Sequence, residues 1–396
     1  MGEPGLDHVL DSLRSRMAAF EDTGDPSGVF SDAATEEAAL LIDAVRERTA
    51  AGLAGTWDDT ALAVAGRLHW KRHLTVPPSD TVHDEAALLL FIRPFRAGRS
   101  LVPEVVWSPL AGLTEEVARL NLLETSAGEI AEVAEAAAGH GLAQSVVLPL
   151  RVAAAMLPDR HPGCAPVLSA LARVHHLLHG DGSGHDGALD AAIEAAGRAA
   201  AVMADDWPGR AVLLSRLGLF RWERYNRDGD EADLTASENA GRAAVRACGD
   251  GDPARPGCLH NLVIALLSRY ELTPEPSVLA QALEAGREAV RTADPARQAA
   301  PLHALSLAAA LGLRFDRTGD PAALAEAERA LTAVLEGAAD DNPYLPLVRA
   351  RLDELARATV AEAAPDDPDV APERPERPRP PGRGRGPRKW RWTRAG

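Results

Sequence analysis

A unit of 45 residues recurs between Leu189 and Leu335, and it limits what this chain can fold into. Tyr225, Tyr270 and Phe315 keep that spacing, and so do Leu217, Leu262 and Leu307. Leu189, Leu234, Leu279 and Leu324 keep it too, and the triplet Ala-Gly-Arg begins at Ala196, Ala240 and Ala285. Self-similarity at such a period marks an array whose units bury their apolar faces only against their neighbours.

Within one unit the apolar spacing is helical. Leu259, Leu262, Val263, Leu266, Leu267 and Tyr270 fall at three- and four-residue steps and share one helix face. Thr273-Pro274-Glu275-Pro276-Ser277 breaks that helix, because proline cannot continue it. Leu279, Ala282, Leu283, Gly286, Ala289 and Val290 mark a second helix. In the sister units Asp230 and Asp320 stand where the second helix starts, where an aspartate caps free amides and meets the positive end of the helix dipole. Pro321 fits the first helical position. Gly241 and Gly286 lie inside helices, where glycine costs about 0.5–1 kcal/mol against alanine, so a close approach of two helices is expected there. The fold class predicted is all-α: stacked helical hairpins forming a superhelical solenoid, with turns near 180–187, 227–231, 272–277 and 317–321.

Taken in order, residues 1–110 read as N-terminal helical hairpins, with Leu6, Val9, Leu10, Leu13 and Met17 as the first stripe. The turn Thr23-Gly24-Asp25-Pro26 is of the same kind as Thr318-Gly319-Asp320-Pro321. A third helix is expected from near Asp58 or Asp59 and a fourth from about Val82 to Arg96, with a linker over 98–110. Residues 111–163 form a helical connector, 164–361 the repeat array with a C-terminal capping helix, and 362–396 a Pro/Arg-rich tail expected to be disordered.

The net charge of −16 is unevenly spread. From Arg374 to Gly396 there are nine basic residues and one acid, which leaves −24 on the remainder. Such a body repels phosphates, so nucleic acid is expected only weakly, through the tail. No run of 18 apolar residues argues for a membrane span. Met1-Gly2-Glu3-Pro4 lacks the basic-then-apolar design of a signal peptide, and the three cysteines, Cys164, Cys248 and Cys258, show no metal spacing. A cytoplasmic chain with reduced thiols is expected. Of 42 basic residues only Lys71 and Lys389 are lysines, which suggests a GC-rich bacterial genome.

Three motifs carry a family resemblance: Leu214-Ser215-Arg216-Leu217-Gly218-Leu219, Arg317-Thr318-Gly319-Asp320-Pro321 and Ala285-Gly286-Arg287. With them stands Gly66-Arg67-Leu68-His69-Trp70-Lys71-Arg72-His73-Leu74. They resemble the tetratricopeptide-type repeats of actinobacterial proteins that often precede a caspase-like CHAT protease domain. The resemblance covers most of residues 6–360 and implies a TPR-like repeat arm. After residue 361 the chain holds only a short tail, so no catalytic His or Cys of that family carries over.

Candidate sites are few. His175 and His179 stand one helical turn apart, with His176, His185, Asp181 and Asp186 near, a spacing that suits a divalent cation or a polar helix end. Asp228, Asp230 and Asp233 lack calcium-loop spacing. Cys248, Cys258 and His260 are near in sequence but nothing places them as a catalytic pair. His69, Trp70, Arg72 and His73 form either a ligand surface or core. Arg216, Arg221, Arg224 and Arg227 lie on or near one helix and would recognise an acidic peptide, or else form a solvated face paired with Glu223 and other acids. Arg388, Lys389, Trp390, Arg391 and Trp392 interleave cations with indoles, a pattern for nucleic acid or anionic lipid, or for folding back on the acidic body.

There is no phosphate loop and no nucleophile elbow, so no catalytic residue, metal or cofactor is assigned. The expected function is a non-enzymatic scaffold that binds a protein or peptide in a groove lined by the first helices. The alternative is a regulatory or sensor arm of a separately encoded CHAT-type protease or other effector.

Overall fold

The computed structural model describes residues 6–77, 80–112, 131, 143–180, 187–249 and 251–363. Among them every regular element is helical and none is a strand. The chain divides into two compact units, Met1–Met203 and Ala204–Gly396, a division that falls inside the stretch 164–361.

The first unit holds α1 (Asp7–Thr23), α2 (Asp32–Ala50), α3 (Thr56–His73), α4 (Val82–Ala97), α5 (Trp107–Gly112), α6 (Ala143–Met156), α7 (Cys164–Gly180) and α8 (Ala188–Val202). The second holds α9 (Arg210–Asp228), α10 (Glu231–Ala247), α11 (Arg255–Leu272), α12 (Pro276–Thr292), α13 (Ala300–Thr318), α14 (Pro321–Gly337) and α15 (Leu345–Ala363).

The hairpin turns near 227–231, 272–277 and 317–321 lie where the sequence puts them, and residues 181–186 of the turn expected near 180–187 lie outside the described residues. Gly229 and Gly319 end α9 and α13 at φ +80° and +67°, a left-handed conformation that glycine enters without a Cβ penalty. Asp230 and Asp320 then accept the amides of Ala232 and Ala322 at 2.9 and 3.0 Å. In the second unit each second helix packs on the first helix that follows it, and the first helices α9, α11, α13 and α15 pack in succession.

The repeated triplet has a separate job for each part. A Cβ on Gly241 would lie 3.2–3.4 Å from Leu262, and one on Gly286 would lie 3.2–3.4 Å from Leu307. The glycines therefore let one hairpin approach the next. The arginines that follow reach 39 positions on: Arg242 to Gln281 at 3.3 Å, and Arg287 to both oxygens of Glu326 at 2.6 and 2.8 Å. Between first helices the contacts are offset by 46 residues: Trp222 donates to Ser268 at 2.8 Å, Asn261 to Ser215 at 2.9 Å, and His260 meets Ser306 at 3.1 Å.

Two expectations change in the first unit. The stretch 98–110 is packed rather than a free linker. Turns of 3-10 helix at Arg99–Leu101 and Glu104–Val106 lead into α5, and Val102, Val106 and Leu110 are buried against Ala87 and Phe91. The third helix starts at Thr56, ahead of Asp58. Asp58 is fully buried, accepts the Gly55 amide, and takes Arg48 Nε at 2.8 Å with Arg93 at 3.8 Å. It fastens α2, α3 and α4 together.

Gly286→Leu is expected to destabilise the chain by roughly 1–3 kcal/mol, because overpacking forces backbone shifts. Gly197→Ala, with nothing within 4 Å of the new Cβ, is expected to stabilise by about 0.5–1 kcal/mol. Urea denaturation of the two variants checks both signs. Asp58→Ala leaves Arg48 without its buried partner and is expected to cost about 3–5 kcal/mol in the same assay.

Candidate functional site

The first unit contains a cleft of about 550 Å³. Helix periodicity puts Asp32, Thr35 and Glu36 on one face of α2, and this face forms one wall. The opposite wall is the loop 157–163 between α6 and α7, where Pro158, Pro162 and Gly163 interrupt helix. Ala154, Ala155 and Leu157 add apolar surface, and His83 of α4 and Arg198 of α8 complete the lining. A second depression of about 290 Å³ runs past Leu40 and Asp43 to His161 and Pro162. Leu40 is 52% exposed beside it.

Ion pairs hold the loop in place. Arg160 pairs with Glu36, and Asp159 receives Arg198 at 3.4 Å. His161 accepts the Gly163 amide on Nδ1 at 3.0 Å, so its proton sits on Nε2, which donates to Asp43 at 2.9 Å. Arg72 stands behind the α2 wall. It is 3% exposed and donates to Val29 O at 2.8 Å and to Thr35 Oγ1 at 2.7 Å. Burial lowers its pKa to about 10, so it stays charged at neutral pH.

His83 faces the buried His69, with their Nδ1 atoms 3.2 Å apart, so one donates and the other accepts. Burial first, then the charge of Arg72, brings His83 down to about 4, so it is a neutral hydrogen-bonding group at neutral pH. Of the lining residues, Asp32, Glu36, Asp43 and Asp159 are carboxylates and Arg160 and Arg198 guanidiniums, while Arg46 pairs with Asp43 and the charged Arg72 stands behind Thr35. The arrangement sets the apolar surface of Ala154, Ala155 and Leu157 beside ion-paired side chains.

The residues singled out in the sequence lie elsewhere. Arg224 makes a bidentate pair with the buried Asp233 at 2.6 and 2.8 Å, which ties α9 to α10. Its repeat mates are struts as well: Arg269 binds Glu238 at 2.6 Å, and Arg314 binds Asp320 at 3.0 Å. Arg227 pairs with the adjacent Asp228 at 2.8 Å. Arg216 and Arg221 are half-buried on α9. The first helix α13 is buried from Ala300 to Leu311 except at Leu302.

His69 and Arg72 are buried, and Trp70 packs against the cluster of Phe91 and Val102, so these residues belong to the core. His175, His176 and His179 are half-buried on α7, while His185, Asp181 and Asp186 lie outside the described residues. Among the described residues no three of His, Cys, Asp and Glu come together as a metal ion requires. Arg388, Lys389, Trp390, Arg391 and Trp392 lie outside the described residues. Among the described residues no helix is long and apolar enough to cross a membrane.

No sequence motif marks the cleft. Glu36 and Arg160 are 124 residues apart. The local signals are the three- and four-residue spacing of Asp32, Thr35 and Glu36, and the pair of prolines around Arg160 and His161.

No family model matches the chain, and no curated protein matches it either.

A second histidine pair yields a pH test. His260 of α11 and His303 of α13 meet edge to face at 5.6 Å. Burial brings His303 down to about 4, and burial plus its neighbour brings His260 to about 3. An unfolded histidine titrates near 6.5. Between that pH and about 4 the unfolded chain binds a proton that the folded chain refuses. The contribution to stability is therefore complete above the unfolded value and falls as pH drops towards 4. His303→Leu, which installs the residue of the mate Leu213, is expected to remove roughly 2–3 kcal/mol of that acid loss. Denaturant titrations at neutral and acid pH give the difference.

Proposed function

We propose that this chain is a non-enzymatic helical-repeat scaffold that holds a protein or peptide partner. The observation that carries the reading is the use made of the repeated residues. In the two triplets of the second unit, Gly241 and Gly286 admit the next hairpin, and Arg242 and Arg287 reach across to it. What the chain repeats is a way of joining hairpins, and stacked hairpins present extended surface to partners.

A groove over the first helices is the seat expected from the repeat alone. The burial of α13 favours instead the cleft bounded by α2 and the loop 157–163. Its carboxylates and apolar surface support a segment with basic and small apolar side chains. The acidic body supports a protein rather than a nucleic acid as partner. A cytoplasmic location is part of the same proposal.

The resemblance to TPR-type arms of CHAT proteins supports a narrower version, in which the partner is a separately encoded caspase-like protease or another effector. A protease reading frame beside the gene would strengthen it.

The test is capture of partners from the source cell by the full chain, followed by mass spectrometry and by titration of the purified partner. Glu36→Arg reverses the charge of the α2 wall and sets two guanidiniums against each other. The expected result is one partner with accessible basic residues, bound about tenfold or more weakly by the variant, which corresponds to about 1.4 kcal/mol. Equal binding by a correctly folded variant would move the site away from the cleft. Recovery of no partner, or turnover of a substrate by the chain alone, would overturn the scaffold reading.

A further inference from the structure

Cys248 and Cys258 come together at one hairpin junction of the second unit. Cys248 follows the last residue of α10, and Cys258 lies in the first turn of α11. Both carry free thiols, 8% and 2% exposed, in a small cluster with Ala211 and Ala244. The two side chains pack in that one cluster, at the junction where α10 ends and α11 begins. The Cys258 thiol donates to Ala211 O at 3.7 Å, so the junction joins α9, α10 and α11.

The repeat tells packing apart from chemistry. Forty-five residues earlier the two positions are Met203 and Leu213, and 45 residues later they are Ala293 and His303. Ala293 follows α12 as Cys248 follows α10. An array can therefore make this junction without sulfur, and two cysteines occupy both of its positions in one repeat only. Cys164, on α7 of the first unit, has no such neighbour among the described cysteines.

We propose that Cys248 and Cys258 are a buried dithiol that an oxidant of the disulfide class converts into a cystine fastening the end of α10 to the start of α11. One cysteine, as thiolate, attacks a sulfur of the oxidant. A mixed disulfide forms and one thiol leaves. The second cysteine attacks the protein sulfur of the mixed disulfide, and the second thiol leaves. Two S–H bonds of the protein are replaced by one S–S bond, the oxidant is reduced to two thiols, and these carry away the two protons.

Burial makes the conversion slow at neutral pH. It pushes the Cys248 thiol up to about 12 and raises Cys258, so the attacking thiolate is scarce while the junction is closed. Once made, the bond constrains the unfolded chain and adds a covalent tie to a packed contact.

The test uses the full chain and oxidised glutathione. After incubation the sample is acid-quenched, alkylated in denaturant, digested and analysed by mass spectrometry. A Cys248–Cys258 linked peptide is expected, with Cys164 recovered alkylated. The thermal midpoint of the oxidised chain is expected to rise by roughly 5 °C, and addition of dithiothreitol should reverse the rise. Cys248→Ala and Cys258→Leu, which install the residues of the repeat mates Ala293 and Leu213, should each fold and lose both the linked peptide and the rise.

Recovery of both cysteines alkylated, under conditions that oxidise them in the denatured chain, would overturn the proposal. So would a link to Cys164, or a glutathione adduct that goes no further. A linked peptide without a rise in midpoint would refute the fastening.

Discussion

The second unit depends on how closely one helix can lie against the next. Gly241 and Gly286 leave 3.2–3.4 Å between a would-be Cβ and the leucines Leu262 and Leu307, tighter than ordinary contact. A larger residue there would push the following hairpin outward, and each hairpin sets the seat of the next. The glycine's cost in helix stability is met by packing along the backbone rather than by a large side chain. The same closeness explains a core made of alanine and leucine in a chain with only 4% aromatic residues. Alanine brings little surface to bury, so cohesion comes from many short contacts repeated at every junction.

Polar groups follow the same geometry. Once two second helices stand at a fixed distance, an arginine on one meets an acceptor 39 residues later on the other, as Arg242 and Arg287 do. Arg224, Arg269 and Arg314 occupy one repeat position yet choose three different partners. The position demands a long cationic side chain, and the local acids decide where it goes. A bidentate pair with a buried carboxylate such as Asp233 is far more constraining than an exposed pair such as Arg227 with Asp228.

What could be read from sequence was local in origin. Asp230 and Asp320 act through amides two residues away, and Gly319 acts through its own φ, so short motifs carry them. The period extends that reach, since a residue and its mate share an environment, and it led to the close contacts at Gly241 and Gly286. Contacts without a period were hidden. Val102 and Val106 sit among prolines and glycines that resemble a linker, yet they fill a pocket against Phe91. Asp58 looked like a helix start and is a buried junction for two arginines. The arginine series on α9 was open between a ligand surface and a paired face, because sequence shows the cation of Arg224 and hides the buried Asp233 folded against it.

The cleft is lined almost wholly by residues that precede the repeated stretch Leu189 to Leu335. In the regular array Arg242 and Arg287 find their acceptors at one offset, and Gly241 and Gly286 leave little room between helices. The loop 157–163 cannot continue the packing, because prolines at 158 and 162 remove amide donors and bend the chain. It is held to α2 by polar side-chain tips, Arg160 on Glu36 and His161 on Asp43, instead of by buried leucines. Contacts made at the tips of long side chains keep backbones apart, and space remains beneath them. The wall that results carries ion-paired carboxylates and a neutral His83. Its ion pairs are partly exposed and therefore weak. An exposed pair of this kind exchanges partners at little cost, whereas Arg224 could not leave the buried Asp233 without stranding a charge.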